Sequence, residues 1–133
     1  MRAPGMIAAL AAAQLLGCQG APRTGGDTAA RPADTVYVMP LMPMTRTCPD
    51  GAPAVWRSED GGGSWKRLAS GLPKKESFFT ILRDAMDIDE LKSPALYFGT
   101  TTGQLWIGRD GGEKWSCLFD SLPPIHCVKV AVV

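Results

Sequence analysis

The chain of 133 residues is 45% hydrophobic and 20% charged, which is the composition of one ordinary soluble domain. Fourteen Lys and Arg against thirteen Asp and Glu leave a net charge of +1, so charge gives no reason to expect nucleic acid or an anionic membrane surface as a partner. The single histidine, His126, excludes a site built from several imidazoles, and no CxxC pair offers a zinc knuckle.

The first 34 residues differ from the rest of the chain. Arg2 and the apolar run 6–16 are typical of a secretory signal segment and are too short to span a bilayer. The run closes with Leu-Leu-Gly-Cys, which resembles a bacterial lipobox. We therefore predict a lipoprotein-type signal at 1–18 with lipidation of Cys18, and a disordered linker at 19–34. The chain would then lie in the cell envelope or be secreted; the alternative is an Ala-rich leader without an export role, and a cytoplasmic protein.

In residues 35–133, short apolar runs alternate with turn signals, which predicts strands. The segment 78–88 carries both a helical and a strand pattern and is interpreted as mainly strand. An insertion of ten residues around 46–50 predicts a longer loop. The last segment, 127–133, alternates and is also predicted to be a strand. The other strands are expected near Val36, Val55, Lys66, Phe79, Leu96, Leu105 and Ser116.

An internal repeat organises this part of the chain. Segments 55–73 and 105–123 align without a gap at an offset of 50, with eight of nineteen positions identical, and they contain all four tryptophans. Each copy has an Asp-Gly-Gly sequence after a short β-favouring run, which is a hairpin signal because glycine adopts positive φ without steric cost. A period of this length indicates a repeat architecture.

Each copy also contains the pattern S-x-D-x-G-x-x-W, in full in the first and with Gly108 replacing the serine in the second. The residues are Ser58, Asp60, Gly62 and Trp65, then Asp110, Gly112 and Trp115. On these motifs the chain resembles the BNR/Asp-box repeat β-propeller family, and in particular the C-terminal part of bacterial proteins labelled exo-alpha-sialidase. The resemblance implies an all-β fold of about two antiparallel four-stranded propeller-type blades. A closed ring of 4–8 blades needs about 200–400 residues, so the ring would be incomplete.

The resemblance indicates architecture more than activity. In this family the Asp-box hairpins lie at the outer edge of the propeller, so the motif residues are expected to be structural. We expect the carboxylates of Asp60 and Asp110 to accept backbone N–H bonds inside their own turns, and Gly62 and Gly112 to permit the chain reversal. Trp65 and Trp115 are expected to pack each hairpin against its blade. A sialidase would need an arginine triad and a Tyr/Glu nucleophile pair, yet the Arg-Ile-Pro motif is absent and the only tyrosines, Tyr37 and Tyr97, lie in predicted strands. We identify no catalytic, cofactor or metal residues.

Two function classes remain. The first is a non-catalytic scaffold or binding module with a carbohydrate or protein ligand, no nucleic acid, and membrane contact only through the lipid anchor. The alternative is a truncated or degenerate sialidase-like glycoside hydrolase whose catalytic blades lie elsewhere. In either case exposed strand edges, 128–133 above all, predict self-association or a need for the missing blades.

Four cysteines allow three pairings. If Cys18 is lipidated, a disulfide between Cys48 in the inserted loop and Cys127 in the last strand can tie the first blade to the closing strand. Free buried thiols are the alternative, and the choice depends on the compartment.

Overall fold

The computed structural model describes residues 34–133 and is mostly β, with two antiparallel sheets of three and four strands. The predicted signal segment, the lipidation of Cys18 and nearly all of the predicted linker lie outside the described residues. Among the described residues no helix is both long enough and apolar enough to cross a membrane.

The first sheet has the strand order β1–β2–β3, with β1 at Val36–Val38, β2 at Val55–Ser58 and β3 at Lys66–Leu68. The first Asp-box forms the turn between β2 and β3. The loop between β1 and β2 contains the predicted insertion and a 3-10 turn at Pro49–Gly51. Three strands are described here, so the prediction of four in this sheet is not met by residues 34–133.

The second sheet has the order β4–β5–β6–β7. Its strands are Met86–Ile88 (β4), Leu96–Gly99 (β5), Leu105–Gly108 (β6) and Lys114–Phe119 (β7). The second Asp-box lies between β6 and β7 in one irregular helical turn, Arg109–Gly112, in which Asp110 and Gly111 have positive φ. The first strand of this sheet, β4, starts at Met86 and not near Phe79 as predicted. Phe79 lies ahead of β4 and is a buried core residue.

The prediction of a strand at 127–133 is wrong. The segment pairs with no strand of either sheet; the N–H of Val128 donates to the carbonyl of Asp84, and the N–H of Val130 donates to the carboxylate of Asp87. Val128 is only 2% exposed, so its alternating pattern reflects an apolar side chain packed on the sheet rather than a hydrogen-bonded ladder. Residues 125–130 therefore form a strap across the second sheet.

The second sheet is buried on both faces. Successive residues of a strand point to opposite sides, and in this sheet both sets are apolar and packed. Leu96, Phe98 and Trp106 belong to one apolar cluster, which they share with Val55 and Leu68 of the first sheet. The other face carries Ala95, Tyr97, Leu105 and Ile107, which pack with Ile125 and Val128 of the strap. One cluster thus joins the two sheets, and the other fixes the C-terminal segment.

Candidate functional site

The first Asp-box is a self-contained hydrogen-bonded turn. The hydroxyl of Ser58 donates to Asp60 Oδ1 over 2.7 Å and accepts the N–H of Gly62 over 2.7 Å. The other side of the turn is closed by Ser64, whose N–H and hydroxyl donate to the two oxygens of Asp60 over 2.9 and 2.7 Å. Asp60 therefore accepts one backbone and two side-chain hydrogen bonds inside its own turn.

These donors act on the charged form of Asp60. The hydrogen bonds from Ser64, followed by that from Ser58, hold the pKa of Asp60 far below its ordinary value. Because a lowered folded-state pKa stabilises the protein above the unfolded-state pKa, this contribution is present near neutral pH and decreases as the pH falls below about 4. The carboxylate is fully committed to the turn, which argues against a catalytic proton transfer from it.

Trp65 lies outside the core between the sheets. Its side chain is 42% exposed and folds over its own turn, where Nε1 donates to the carbonyl of Gly62 over 3.1 Å. Trp115, at the equivalent position 50 residues later, is 4% exposed and lies 5.1 Å from Phe98 between ring centroids. Of the two Asp-box tryptophans, only Trp115 lies in the core between the sheets.

The second Asp-box departs from the first in its hydrogen bonds. Asp110 accepts the hydroxyl of Ser93 over 3.0 Å, and no bond from its own turn to this carboxylate is present in the structure. The prediction that Asp110 closes its own turn is therefore wrong. The turn is instead tied to the β4–β5 loop, since the N–H of Gly111 also donates to the carbonyl of Pro94 over 2.7 Å.

The absent serine and the buried tryptophan of this second turn are linked. A Cβ at Gly108 would lie only 2.7 Å from the indole ring of Trp115, which is closer than real contacts allow. The space that the Ser58 side chain takes in the first turn is thus occupied by the ring of Trp115 in the second. Gly112 is buried beneath the same ring, where a Cβ would lie 3.0 Å from Leu68.

A charged cluster at the junction of the two sheets was missed by the sequence analysis. Glu113, just after the second turn, accepts hydrogen bonds from Lys66 Nζ over 2.7 Å and from Arg57 Nη2 over 3.1 Å, both in the first sheet. Arg57 also has its Nε 3.0 Å from a carboxylate oxygen of Glu59, an ion pair without hydrogen-bond alignment. The bond from Lys66 and the charges of both cations lower the pKa of Glu113.

The one buried carboxylate in this part of the chain holds a loop. Asp89 accepts the N–H groups of Leu91 and Ala95 over 3.2 and 3.0 Å, and the hydroxyl of Tyr97 over 3.4 Å. Burial, and then the charge of Asp89, raise the pKa of Tyr97. Since Tyr97 lies under the C-terminal strap, this Tyr/carboxylate pair faces the interior and has no access to a sugar substrate.

The predicted Cys48–Cys127 disulfide is wrong. Cys48 carries a free, fully buried thiol that donates to the carbonyl of Phe79, and burial raises its pKa to about 11. Cys127 is disulfide-bonded, but not to Cys48, whose thiol is free. Cys117 is free and exposed on β7. The loop that carries Cys48 is thus attached through the apolar core and not through a covalent bond.

Within residues 34–133, no group of three or more His, Cys, Asp or Glu side chains is arranged to hold a metal ion. The charged groups with defined contacts are paired across turns and between the sheets, an arrangement suited to holding the fold together. No protein-family model matches the chain, and no curated protein does.

Proposed function

We propose that this protein is a non-catalytic scaffold or binding module built from BNR/Asp-box propeller-type blades, and that it acts in the cell envelope. The observation that carries the proposal is the repetition of one sheet design along the chain. The polar motif residues of the first turn are engaged in hydrogen bonds within that turn, and Trp115 packs in the apolar cluster between the sheets.

The two sheets repeat in register as well as in sequence. Val36 pairs with Ser58 and Tyr37 with Arg57 in the first sheet, just as Leu96 pairs with Gly108 and Tyr97 with Ile107 in the second. The backbone bond from Gly61 to Asp34 has its counterpart in the bond from Gly111 to Pro94. Such repetition in strands, pairing and loop bonds favours two copies of one blade-like unit.

The contact between the units also favours a propeller. The sheets are joined by an apolar cluster and by the cluster of Arg57, Lys66 and Glu113, as neighbouring repeats of a propeller would be. Two such units are fewer than a closed ring requires. We infer that the working assembly contains further blades.

A degenerate sialidase-like hydrolase is the competing function. Against it, Tyr97 is buried on Asp89, and the hydroxyl of Tyr37 lies against the second Asp-box turn at Gly111. We expect the purified full chain to give no turnover of a fluorogenic sialic acid glycoside above buffer. Turnover that is lost in a Tyr37→Phe variant purified in parallel would overturn the non-catalytic proposal, because the matched variant separates intrinsic activity from a contaminating enzyme.

Location in the cell envelope rests on the leader and on cysteine chemistry. A disulfide at Cys127 favours an oxidising compartment, which agrees with export. Radiolabelled palmitate tests the anchor separately from export: incorporation by the wild-type chain in a bacterial host, and not by Cys18→Ser, would support lipidation of Cys18. A lipidated sulfur cannot also form a disulfide, so lipidation of Cys18 excludes a disulfide between Cys18 and Cys127. An unlabelled wild-type chain would overturn the anchor while leaving export and the scaffold proposal intact.

A further inference from the structure

The junction between the two sheets is formed by two complementary surfaces. One is the second Asp-box turn, where Gly112 is buried and the N–H of Trp115 donates to the carbonyl of Ser70 over 2.8 Å. The other is β3 with the residues that follow it, where Leu68 and Leu72 are buried in the apolar cluster that joins the sheets. The second unit thus packs its turn against the strand side of the first unit.

Because the units repeat, each of these surfaces has a counterpart that the junction does not use. The counterpart of the second turn is the first Asp-box turn, and residues 61–65 of that turn are all exposed. The counterpart of 66–72 is 116–122, which is exposed throughout. Leu118 and Leu122 are each 40% exposed, although they occupy the repeat positions of the two buried leucines after the first turn.

The strand beside the first turn is exposed in the same way. By pairing register, Val36 and Val38 of β1 are the counterparts of Leu96 and Phe98 of β5. The two β5 side chains are buried in the junction, whereas Val36 is 42% exposed and Val38 is 39% exposed. The apolar surface that the second unit buries against the first is therefore repeated, and open, on the first unit.

The two open surfaces are of complementary kinds. We define the turn face as Val36, Val38 and Trp65, and the strand face as Leu118 and Leu122. Inside the molecule, a surface at the position of the turn face packs on a surface at the position of the strand face. One chain carries one open face of each kind, so a second copy of the chain offers the matching surface to both.

The outer contact has features that make it weaker than the internal junction. The ion pairs of Glu113 have no counterpart, because the equivalent position is Gly63. β7 also has a register shift at Leu105, which the pairing of β3 lacks. The strap leaves the strand face accessible, since both of its leucines stay exposed with the strap in place. Interfaces below about 1,200 Å² are usually weak and transient, so association is expected at micromolar or higher concentration.

We propose that the turn face of one copy packs head to tail on the strand face of a second copy, in the way that the two sheets pack within the chain. The N–H of Trp65 then faces the carbonyl of Asp120 in the other copy, which is the counterpart of Ser70. Such a heterologous contact repeats into a ring or an open chain of copies. The proposal requires neither a non-catalytic role nor a closed propeller, so it can fail while the proposed function stands.

Two blocked variants test the head-to-tail arrangement by complementation. Val36→Lys places a charge on the turn face, and Leu122→Lys places one on the strand face. In sedimentation velocity on the full chain, each variant alone should associate at least about tenfold more weakly than wild type, because docking would bury an unpaired charge. An equimolar mixture retains one intact face of each kind and should form a 1:1 dimer that grows no further, with a Kd within about threefold of the wild-type value.

The matched control is Met44→Lys, a charge at a position that is 95% exposed and belongs to neither face. It should associate as wild type does. Unchanged melting temperatures will show that all three variants fold. If Val36→Lys is unfolded, Trp65→Lys blocks the same face from an exposed position outside the strands.

Thiol cross-linking tests which faces meet. Leu68 and Leu96 both lie against the second turn, so their counterparts Leu118 and Val36 come together across the proposed contact. Val36→Cys should therefore be joined by a short bismaleimide to Cys117, the exposed free thiol of the described residues, in another copy. The product should be a ladder of dimers and larger species, absent from wild type and from the variant that also carries Cys117→Ser.

Four results would overturn the proposal. They are a wild-type chain that stays monomeric at millimolar concentration, blocked variants that associate as wild type does, a mixture that associates no more than either variant alone, and a wild-type product cross-linked through Cys117 as abundant as that of Val36→Cys. The last result would place two strand faces together instead of a strand face on a turn face.

Discussion

The two motif tryptophans provide the sharpest test of the packing, because one substitution at equivalent positions should have different effects. Trp115 is 4% exposed and contacts Phe98 in the core between the sheets, whereas Trp65 is 42% exposed over its own turn. A buried aromatic side chain removes about 150–250 Å² from water, and replacing it by alanine costs about 3–5 kcal/mol once the cavity is included. We expect a loss of that size for Trp115→Ala.

For Trp65→Ala we expect a loss below about 2 kcal/mol. The substitution removes one hydrogen bond to Gly62, worth about 1 kcal/mol, and leaves no closed cavity because solvent reaches the site. Urea unfolding followed by far-UV circular dichroism measures both free energies without relying on tryptophan fluorescence. If Trp115→Ala does not fold, Trp115→Leu gives a milder perturbation. Equal losses at the two positions, or a larger loss at Trp65, would refute the assignment of only one tryptophan to the core.

Three further predictions concern the turns and the thiols. Asp60→Asn should lower the melting temperature at pH 7, and its curve should converge with that of wild type as the pH falls below about 4, since the lowered pKa of Asp60 makes its stabilisation acid-sensitive; parallel curves down to pH 2 would contradict this. Gly103→Ala should cost at least about 2 kcal/mol more than Gly61→Ala in urea unfolding: both glycines have positive φ, but a Cβ at 103 overlaps a backbone carbonyl, whereas one at 61 meets nothing within 4 Å. Iodoacetamide with peptide mapping should label Cys117 in the native protein and Cys48 only after unfolding; native labelling of Cys48 would show that its site is not closed.

The hairpins around the Asp-boxes could be predicted from sequence because their determinants are local. β2 and β6 begin at Val55 and Leu105, which are the first residues of the two aligned segments, and the Asp-Gly-Gly turns follow each strand. The bonds of Asp60 likewise join residues no more than four positions apart. Periodicity and turn chemistry report on such neighbours directly.

The contacts that hold the sheets together could not be predicted in this way. Arg57 and Glu113 are 56 positions apart, and nothing in the spacing of charges along the chain indicates which residues meet across a junction. The hydrogen bond from Ser93 to Asp110, which replaces a bond inside the turn, depends in the same way on where the β4–β5 loop lies. The motif spacing predicts the type of turn at Asp110, whereas tertiary packing determines which residue its carboxylate contacts.

The prediction of a strand at 127–133 was wrong for a related reason. Alternating apolar residues indicate one buried face, and that condition is met equally by a strand in a ladder and by an extended segment lying on a sheet. Val128 fulfils the pattern through burial while its N–H bonds to Asp84 outside any sheet. The predicted exposed strand edge at 128–133 is accordingly wrong, because this segment belongs to neither sheet.

Because Gly108 and Trp115 lie so close together, substitutions at these two positions of the second motif can be made in one order and not in the other. A copy that first exchanged its serine for glycine could afterwards admit the indole into the core, whereas an inward tryptophan facing a retained serine would meet a steric clash. Reversion is hindered in the same way, because restoring serine at position 108 has to displace a ring that now supports the contact between two sheets. Motif scoring that treats the two positions as independent would count the second box as degenerate, although its missing serine and buried tryptophan form one coupled adaptation.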